Sequence, residues 1–272
     1  MTATLARPAS APARRTTYWS RYRHALLLLT MRDLKVRYTT SVLGYLWSII
    51  DPLLMAAIYF VVFTYVFHRG GSSEEPYIVF LLAGVLPWTW FNGNISDATR
   101  AFRSEGKLIR SVKIPRTIWV LRQVCSKGIE FVISLPVIAF FALINLKAPT
   151  FGSLIYLPLA LVLQVVLTVG LNFIIAPMAV FLRDLERIVK LTLRLLFYGA
   201  PVLYHLEIGT PLLHFLYGLN PLAGILDLYR ACFFPAVLDW GYVLQSAAVS
   251  VLLFAVGAVV FRRAVPRVLK EL

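Results

Sequence analysis

The sequence lacks the motifs on which nucleotide-dependent enzymes are built. Gly106-Lys107-Leu108 has no Ser or Thr after its lysine, and Ala101 stands where the first glycine of a Walker-type phosphate loop belongs. No paired acids suited to chelating magnesium and a prenyl diphosphate are present, and no serine nucleophile elbow occurs. The histidines and acids at His205, Glu207 and His214 do not have metal-ligand spacing. These absences argue against an enzyme and predict a chain that binds no metal or cofactor of its own.

Charged residues and cysteines are also scarce. Only 15% of the 272 residues are charged, whereas 59% are hydrophobic, and a soluble domain typically carries about a quarter charged residues. Long apolar runs instead match bilayer-spanning helices, which need about 20 apolar residues. The sequence therefore predicts an all-α polytopic membrane protein with six transmembrane helices, at about 43–67, 78–99, 117–145, 153–182, 188–204 and 240–261. In this topology Cys125 and Cys232 fall on opposite sides of the membrane and do not pair.

Acidic residues number only 13 against 27 lysines and arginines, which gives a formal net charge of +14. With both termini in the cytoplasm, every basic residue except Arg69, Lys147 and Arg230 lies in or beside an inner segment. This asymmetry is the one that the positive-inside rule describes. The charge therefore predicts a multi-pass plasma-membrane protein with cytoplasmic N- and C-termini and an affinity for anionic membrane lipid. It argues against nucleic acid as a partner.

The chain divides into four segments by composition. Residues 1–17 are rich in Ala, Pro and Arg and predict a disordered tail. Residues 18–40 predict an interfacial amphipathic helix, although a merely basic flank is the alternative. Residues 41–262 form the six-helix transmembrane domain, and residues 263–272 form a cytoplasmic tail. The residues expected at the inner membrane interface are Trp19, Tyr22, Arg32, Lys35, Arg37 and Trp47.

The inner connection at 103–116 has an amphipathic pattern. Leu108, Ile109, Val112 and Ile114 alternate with basic residues, and Pro115 marks a boundary before the next span. We expect a short amphipathic helix that lies across the inner face and docks a partner. A cytosolic loop without a binding role is the alternative, but it leaves the apolar positions unexplained.

The outer segment 205–239 is too apolar for a solvated loop, and each half of it is too short to span a bilayer. Asn220-Pro221 gives an N-cap residue followed by proline at the first helical position. The segment therefore predicts two half-helices that dip back into the outer leaflet, where protein or a water-filled path satisfies the backbone.

Acids and aromatic residues near bilayer depth are the remaining candidates. Asp51-Pro52 reads as an N-cap pair that starts or kinks the first span, with a place on the transport path as the alternative. Glu130 is expected to pair with Lys127 or Arg122. Aromatic rings pack on the apolar faces of sugars but also serve as belts and core packing, so composition leaves their role open. The channel candidates are Tyr59, Phe60, Phe63, Phe67, Trp88, Trp90 and Phe91.

Four spaced motifs carry a family resemblance from about residue 18 to the C-terminus. They are Arg32-Asp-Leu-Lys-Val-Arg-Tyr38 with Ser41-Val-Leu-Gly-Tyr-Leu-Trp47, then Leu108-Ile-Arg-Ser-Val-Lys-Ile-Pro-Arg116, Arg183-Asp184, and Asn220-Pro221-Leu-x-Gly224 through Arg230. Together they resemble ABC-2-type permeases that export polysaccharides such as O-antigen, capsule and teichoic acid. The sequence departs from the pattern of this family at two places. Ile114 replaces an aromatic residue, and Glu-Gly-Lys at 105–107 replaces a segment that more commonly contains Asn.

The resemblance implies a half-transporter. Two copies would form a homodimer on two copies of a cytosolic nucleotide-binding ATPase, which would hold the ATP and Mg. The cargo would be a polyprenyl-diphosphate-linked polysaccharide. Since arginine far outnumbers lysine, as in GC-rich actinobacteria, a cell-wall galactan is the leading cargo. The ATPase-coupling residues would be Ser104, Glu105, Gly106, Lys107, Leu108, Ile109, Arg110 and Ser111, with Arg183 and Asp184 as a second contact.

Three other functions are open on the sequence. An ABC-2 exporter of a drug or small lipid would share the architecture, but the basic, aromatic motif before the first span is typical of the polysaccharide branch. A membrane-embedded glycosyl or prenyl transferase would need clustered acids, which are not present. A structural scaffold would leave the amphipathic inner connection without a role.

Overall fold

Helices form every regular element in the described part of the chain, and no strand occurs there, which agrees with the predicted all-α class. The computed structural model describes residues 18–39, 43–66, 76–112, 114–204 and 217–271. A single turn at Gly44–Leu46 leads into the second helix, and a π-helical turn at Val62–Val66 extends it. The helices are α1 (Tyr18–Tyr38), α2 (Trp47–Val61), α3 (Tyr77–Ala98), α4 (Gly106–Ser111), α5 (Thr117–Ile144), α6 (Ser153–Phe181), α7 (Leu185–Gly199), α8 (Pro221–Ala231) and α9 (Trp240–Glu271).

Among the described residues, four helices are long and apolar enough to cross a membrane: α3, α5, α6 and residues Trp240–Val268 of α9. They correspond to the predicted spans 78–99, 117–145, 153–182 and 240–261. The predicted span 43–67 contains a shorter apolar helix at Ile49–Tyr65, and the predicted span 188–204 contains α7, which has 15 residues and ends at Gly199. Both fall short of the length of a full crossing, so a count of six spans remains a prediction.

The core of the protein is built around α3. Its residues from Leu81 to Trp88 are all buried, because α2, α5, α6 and α8 pack around it. A helix that is apolar on all sides is stable only when it is enclosed in this way. The central position of α3 lets it contribute side chains to each of the three cavities described below.

The backbones of α6 and α9 approach each other closely where the two helices cross. A Cβ atom added at Gly257 would lie 2.2 Å from the carbonyl oxygen of Gly170, and one added at Gly170 would lie 2.6 Å from the backbone nitrogen of Phe254. Small residues at a crossing let two backbones approach closely, which is the usual way that membrane helices gain packing energy. These two glycines therefore fix how α9 lies against α6.

The bundle has two distinct ends. At one end, which we call the basic end, the last turns of α3, α6 and α9 meet α4 and the first turns of α5. Their shared apolar cluster contains Ala101, Phe102, Ile109, Trp119, Val120, Val124, Val169, Phe173, Ala176, Phe261 and Val268. At the opposite end, the backbone nitrogen of Thr150 donates to the carbonyl oxygen of Cys232 at 2.9 Å, which ties the α5–α6 connection to the end of α8.

The N-cap predicted at Asn220 is confirmed, whereas the one predicted at Asp51 is wrong. The Asn220 side chain accepts from the backbone nitrogen of Leu222 at 3.0 Å, and Pro221 opens α8. By contrast, α2 begins at Trp47 with Leu46 at the cap position, so Asp51 and Pro52 lie inside the helix. The tail 1–17 and most of the first predicted half-helix, residues 205–216, lie outside the described residues.

Candidate functional site

The predicted docking segment forms α4 at the basic end. Ile109 is completely buried in the apolar cluster of that end, because an amphipathic helix gains stability by burying its apolar stripe. Lys107 and Arg110 are exposed, as are Ser104 and Ser111. Gly106 and Leu108 are partly buried. The short helix therefore lies flat on the bundle and presents two cations and two hydroxyl groups to the outside.

The second predicted contact lies beside the first. Arg183 and Asp184 are exposed just before α7. The connection that carries them is tied to the end of α3, since Arg103 donates to the carbonyl oxygen of Val180 at 3.4 Å and Arg100 forms an ion pair with Glu186. The two segments expected to dock the ATPase thus lie close together at the basic end.

Hydrogen bonds from Arg100 and then from Lys190 lower the pKa of the Glu186 carboxyl to about 2. The same hydrogen bond and the charge of Glu186 raise the pKa of Arg100. Both groups therefore stay charged at any physiological pH. The sequence analysis did not identify this ion pair, because 86 residues separate its partners.

The predicted interfacial helix is α1, which ends at Tyr38 and packs against α5. Trp19 is 68% exposed and Lys35 is also exposed, whereas the Tyr22 hydroxyl shares a hydrogen bond of 2.9 Å with Thr117. Trp47, at the start of α2, is 41% exposed. The exposed aromatic rings and the lysine agree with a position at a membrane surface.

Two of the basic residues expected at the membrane interface form ion pairs within the protein while staying partly exposed. Arg32 pairs with Glu105 at 2.6 Å, and Arg37 pairs with Asp97 at 2.8 Å and with Glu130 at 3.1 Å. The expectation that Arg32 and Arg37 hold α1 against head groups was therefore incomplete. Proteins pair a cation that is removed from water, since an unpaired one is costly.

The pairing predicted for Glu130 is confirmed for one of its two candidates. Lys127 lies 2.8 Å from Glu130, in addition to Arg37. Arg122, the other candidate, pairs with Asp33 of α1 at 2.9 Å. Burial raises the pKa of the Asp33 carboxyl, an effect that the charge of Arg122 opposes.

Two adjoining cavities open between α2 and its neighbours. The first, of about 300 Å³, is lined by Arg37, Trp47, Asp51, Pro52, Leu86, Thr89, Trp90, Lys127, Glu130, Phe131 and Ser134. The second, of about 510 Å³, is lined by Asp51, Pro52, Met55, Tyr59, Val85, Trp88, Thr89, Asn92, Ser96, Lys190, Leu193, Arg194, Phe197 and Tyr198. Asp51, Pro52 and Thr89 belong to both walls, so the cavities form one groove along α2.

The aromatic candidates divide into groove residues and packing residues. Tyr59, Trp88 and Trp90 line the groove. Trp88 packs on Phe197 in a tilted arrangement with ring centres 5.4 Å apart, and Trp90 stacks on Phe131 at 5.0 Å. These contacts hold the indole rings in the groove wall.

The other aromatic candidates lie away from the groove. Phe91 is only 2% exposed and packs against Trp88. Phe60 lines a separate apolar pocket with residues of α5, and Phe63 packs on Tyr77 with ring centres 5.9 Å apart. Phe67 lies outside the described residues. Phe60, Phe63 and Phe91 are therefore placed for packing in this structure.

The polar residues that line the groove were not among the residues predicted from the sequence. Lys190, Arg194 and Tyr198 of α7 line it together with Asn92 and Ser96 of α3. The recurrence of charged residues every four positions in α7, from Glu186 onward, is a signal that could have revealed them. Reading 188–204 as an apolar span obscured that stripe. Polar groups and aromatic rings facing each other make the groove suited to a ligand that has both hydroxyl groups and apolar faces.

The helical bundle, the flat helix at its basic end and the groove along α2 together define a membrane permease. Residues 24–234 match the ABC-2 type transporter family, and the chain belongs to that family. The resemblance identified from the four motifs is thereby confirmed.

Relatives of the chain are named for O-antigen export or for polysialic acid transport. The chain is 33% identical over 238 residues to an O-antigen export system permease protein, RfbA, of Klebsiella pneumoniae, covering 88% of this chain and 91% of the relative. It is 31% identical over 243 residues to the protein of the same name from Myxococcus xanthus, covering 88% and 92%. It is 25% identical over 226 residues to the polysialic acid transport protein KpsM of Escherichia coli, covering 81% and 85%.

Proposed function

We propose that the chain is the permease subunit of an ATP-driven exporter that moves a lipid-linked polysaccharide from the cytoplasmic to the outer side of the plasma membrane. The observation that carries this proposal is the similarity to O-antigen export permeases, which extends over nearly the whole of both chains. A cell-wall galactan on a polyprenyl diphosphate is the leading cargo, on the composition argument given above. Both termini are placed in the cytoplasm by the positive-inside rule.

A separate ATPase is needed, because the chain has no phosphate-binding loop. The exposed face of α4, with Lys107 and Arg110, supports a docking position at the basic end, and Arg183 and Asp184 extend it. The ATPase would bind the ATP and Mg, and the permease would contribute only contact surface. Two ATPase copies would dock beneath two permease copies.

A second copy of this chain is supported by the exposed apolar faces of α2 and α7. Leu54, Ile58, Val61 and Tyr65 lie on one face of α2, and their exposed fractions are 51% or more. Ile188, Leu191, Leu195 and Tyr198 recur at helical spacing on α7, each more than half exposed. The two helices adjoin, since the rings of Tyr59 and Phe197 are 5.5 Å apart.

Basic groups distinguish this surface from one that faces lipid. Lys190 and Arg194 lie on α7 beside the apolar residues, and both line the groove. Charged groups on a helix that borders the membrane face the head-group region, a bundle interior or a water-filled path rather than lipid tails. The surface of α2 and α7 is therefore where we place the homodimer contact, with the groove beside it as the glycan path.

The glycan path follows from the chemistry of the groove. Sugar rings present apolar C–H faces to Tyr59, Trp88 and Trp90, while their hydroxyl groups meet Asn92 and Ser96. Such a wall holds each sugar weakly, so that a long polymer slides through without being trapped. The first cavity adds Arg37 and Lys127, which suit an anionic group of the cargo.

Depletion of the protein in its native host, followed by analysis of lipid-linked glycans, tests the proposed function. We expect a long glycan on its lipid carrier to accumulate on the inner leaflet. A missing biosynthetic intermediate without such accumulation would support a transferase, and normal glycans with retention of a small lipid or drug would support a different ABC-2 exporter.

A further inference from the structure

Partly buried ion pairs join the residue before α4 to two other helices at the basic end. Glu105, which immediately precedes α4, accepts a hydrogen bond from Arg32 of α1 at 2.6 Å. Arg122 of α5 lies 3.5 Å from the same carboxylate oxygen and donates to Asp33 of α1 at 2.9 Å. The side chains of Glu105 and Arg122 are only 15% and 3% exposed, whereas that of Arg32 is 40% exposed. Salt therefore screens the Arg122–Glu105 pair much less than a pair on the surface.

The other end of α4 is held by Arg116. One nitrogen of its guanidinium group donates to the carbonyl oxygens of Ile109, Val112 and Ile114, at 3.0, 3.2 and 3.3 Å. The last carbonyl groups of a helix have no partners within the helix, and a basic side chain satisfies them here. Because Ile109 is also completely buried, α4 is fixed at both ends and along its inner side.

A displacement of α4 must therefore move α1 and the start of α5 as well. The helix has only six residues, so it has little length over which to absorb a rotation between its two fixed ends. Further along α1, Arg37 pairs with Asp97 and Glu130 and lines the first cavity. The connection thus runs from the exposed face of α4, through Glu105 and α1, to the wall of the groove.

We propose that Glu105 is a positioning residue that transmits movement of α4 to α1 and so to the first cavity. The inference rests on the proposed function, in which an ATPase docks on α4. Glu105 acts through Arg32 and Arg122 inside the protein, whereas Lys107 and Arg110 supply the exposed docking face.

The mechanical connection is tested without any cargo. Spin labels are attached at Met31→Cys on α1 and Ser111→Cys on α4, two exposed positions, after both native cysteines are replaced by serine. In a complex with the ATPase in which only one permease copy carries the two labels, we expect one narrow label-to-label distance with or without nucleotide. Glu105→Gln should broaden this distribution, while Glu271→Gln, which removes an exposed carboxylate with no ion pair among the described residues, should not. An unchanged distribution in Glu105→Gln would overturn the inference.

The functional consequence is measured as glycan exported per ATP hydrolysed in proteoliposomes, with lipid-linked glycan extracted from the depleted host. We expect Glu105→Gln to retain ATPase binding and to lower this ratio about fivefold, the lower end of typical coupling between sites. An unchanged ratio, or loss of ATPase binding instead, would contradict the assigned role. If the wild-type complex exports nothing, the proposed function fails, while the spin-label distances still decide whether Glu105 connects α4 to α1.

A covalent link provides a second variant, in case Glu105→Gln disturbs folding. In the cysteine-free background, Arg32→Cys/Glu105→Cys removes the ion pair and should lower export per ATP. A flexible bismaleimide that joins the two thiols should restore the ratio, because it replaces the ionic connection by a covalent one. If the crosslinked protein still exports less glycan per ATP than the wild type, Glu105 does not act by connecting α1 to α4.

Discussion

A methyl group at Gly257 has no space in this fold. Its carbon would lie 2.2 Å from the carbonyl oxygen of Gly170 and 3.0 Å from the carbonyl carbon. Carbon and oxygen atoms of neighbouring backbones ordinarily approach to about 3.3 Å, so α6 and α9 must separate by about 1 Å at the crossing. Since the obstructing atoms belong to the backbone, no side-chain rotation can relieve the collision.

The expected loss follows from the cost of overpacking. Forcing an extra methyl group into a packed interior costs about 1–3 kcal/mol, and the upper part of that range applies when backbone must move. For a chain of this size, each kcal/mol lowers the unfolding midpoint by about 2–4 °C. Gly257→Ala should therefore lower the midpoint by about 5–10 °C.

Thermal unfolding of the purified protein in detergent, followed by tryptophan fluorescence, measures this effect. Gly199→Ala is the matched control, because a Cβ atom at Gly199 meets nothing within 4 Å and should change stability by less than about 0.5 kcal/mol. Equal midpoints for Gly257→Ala and Gly199→Ala would refute the close crossing of α6 and α9.

Three further predictions concern charged residues. Lys107→Glu/Arg110→Glu should weaken ATPase association at least about tenfold in a pull-down titration, unlike Arg263→Glu on α9; equal affinities would remove α4 as the docking site. Asp51→Asn should leave the thermal midpoint unchanged, because Asp51 has no hydrogen bond or ion pair with a described residue, yet reduce export; wild-type export would place Asp51 off the path. Hydrogen bonds lower the pKa of the Glu186 carboxyl to about 2. The ion pairs of Glu186 therefore stabilise the folded protein above the pKa of this carboxyl in the unfolded state, about 4, and the stabilisation is lost only in stronger acid. The midpoints of Glu186→Gln and wild type should therefore run parallel from about pH 5 to 8, and diverging curves would contradict the assigned pairing.

Local sequence patterns predicted the local features well. Asn220-Pro221 caps α8 because an N-cap depends only on a side chain and the backbone two residues later. The inner connection predicted α4 because amphipathicity is visible within a few residues. The N-cap predicted at Asp51 was wrong because a local pattern does not show where the helix begins. A proline can lie near the start of a helix that has already begun, and α2 begins at Trp47.

Long-range features could not be predicted in the same way. Arg32 and Glu105 are 73 residues apart in the chain, and Arg37 and Glu130 are 93 apart. Only the packing of α1 against α5 brings these charges together. The extent of α7 was misjudged because the apolar composition continues past Gly199, where the helix ends.

Transport by the reconstituted complex tests the central claim most directly. The chain and its ATPase are placed in liposomes with lipid-linked glycan extracted from the depleted host, and the glycan that becomes accessible to a glycosidase on the far side of the membrane is measured. We predict ATP-dependent appearance of glycan there, lost when a nonhydrolysable ATP analogue replaces ATP. Glycan that stays on its original side while the complex hydrolyses ATP would contradict polysaccharide export by this protein.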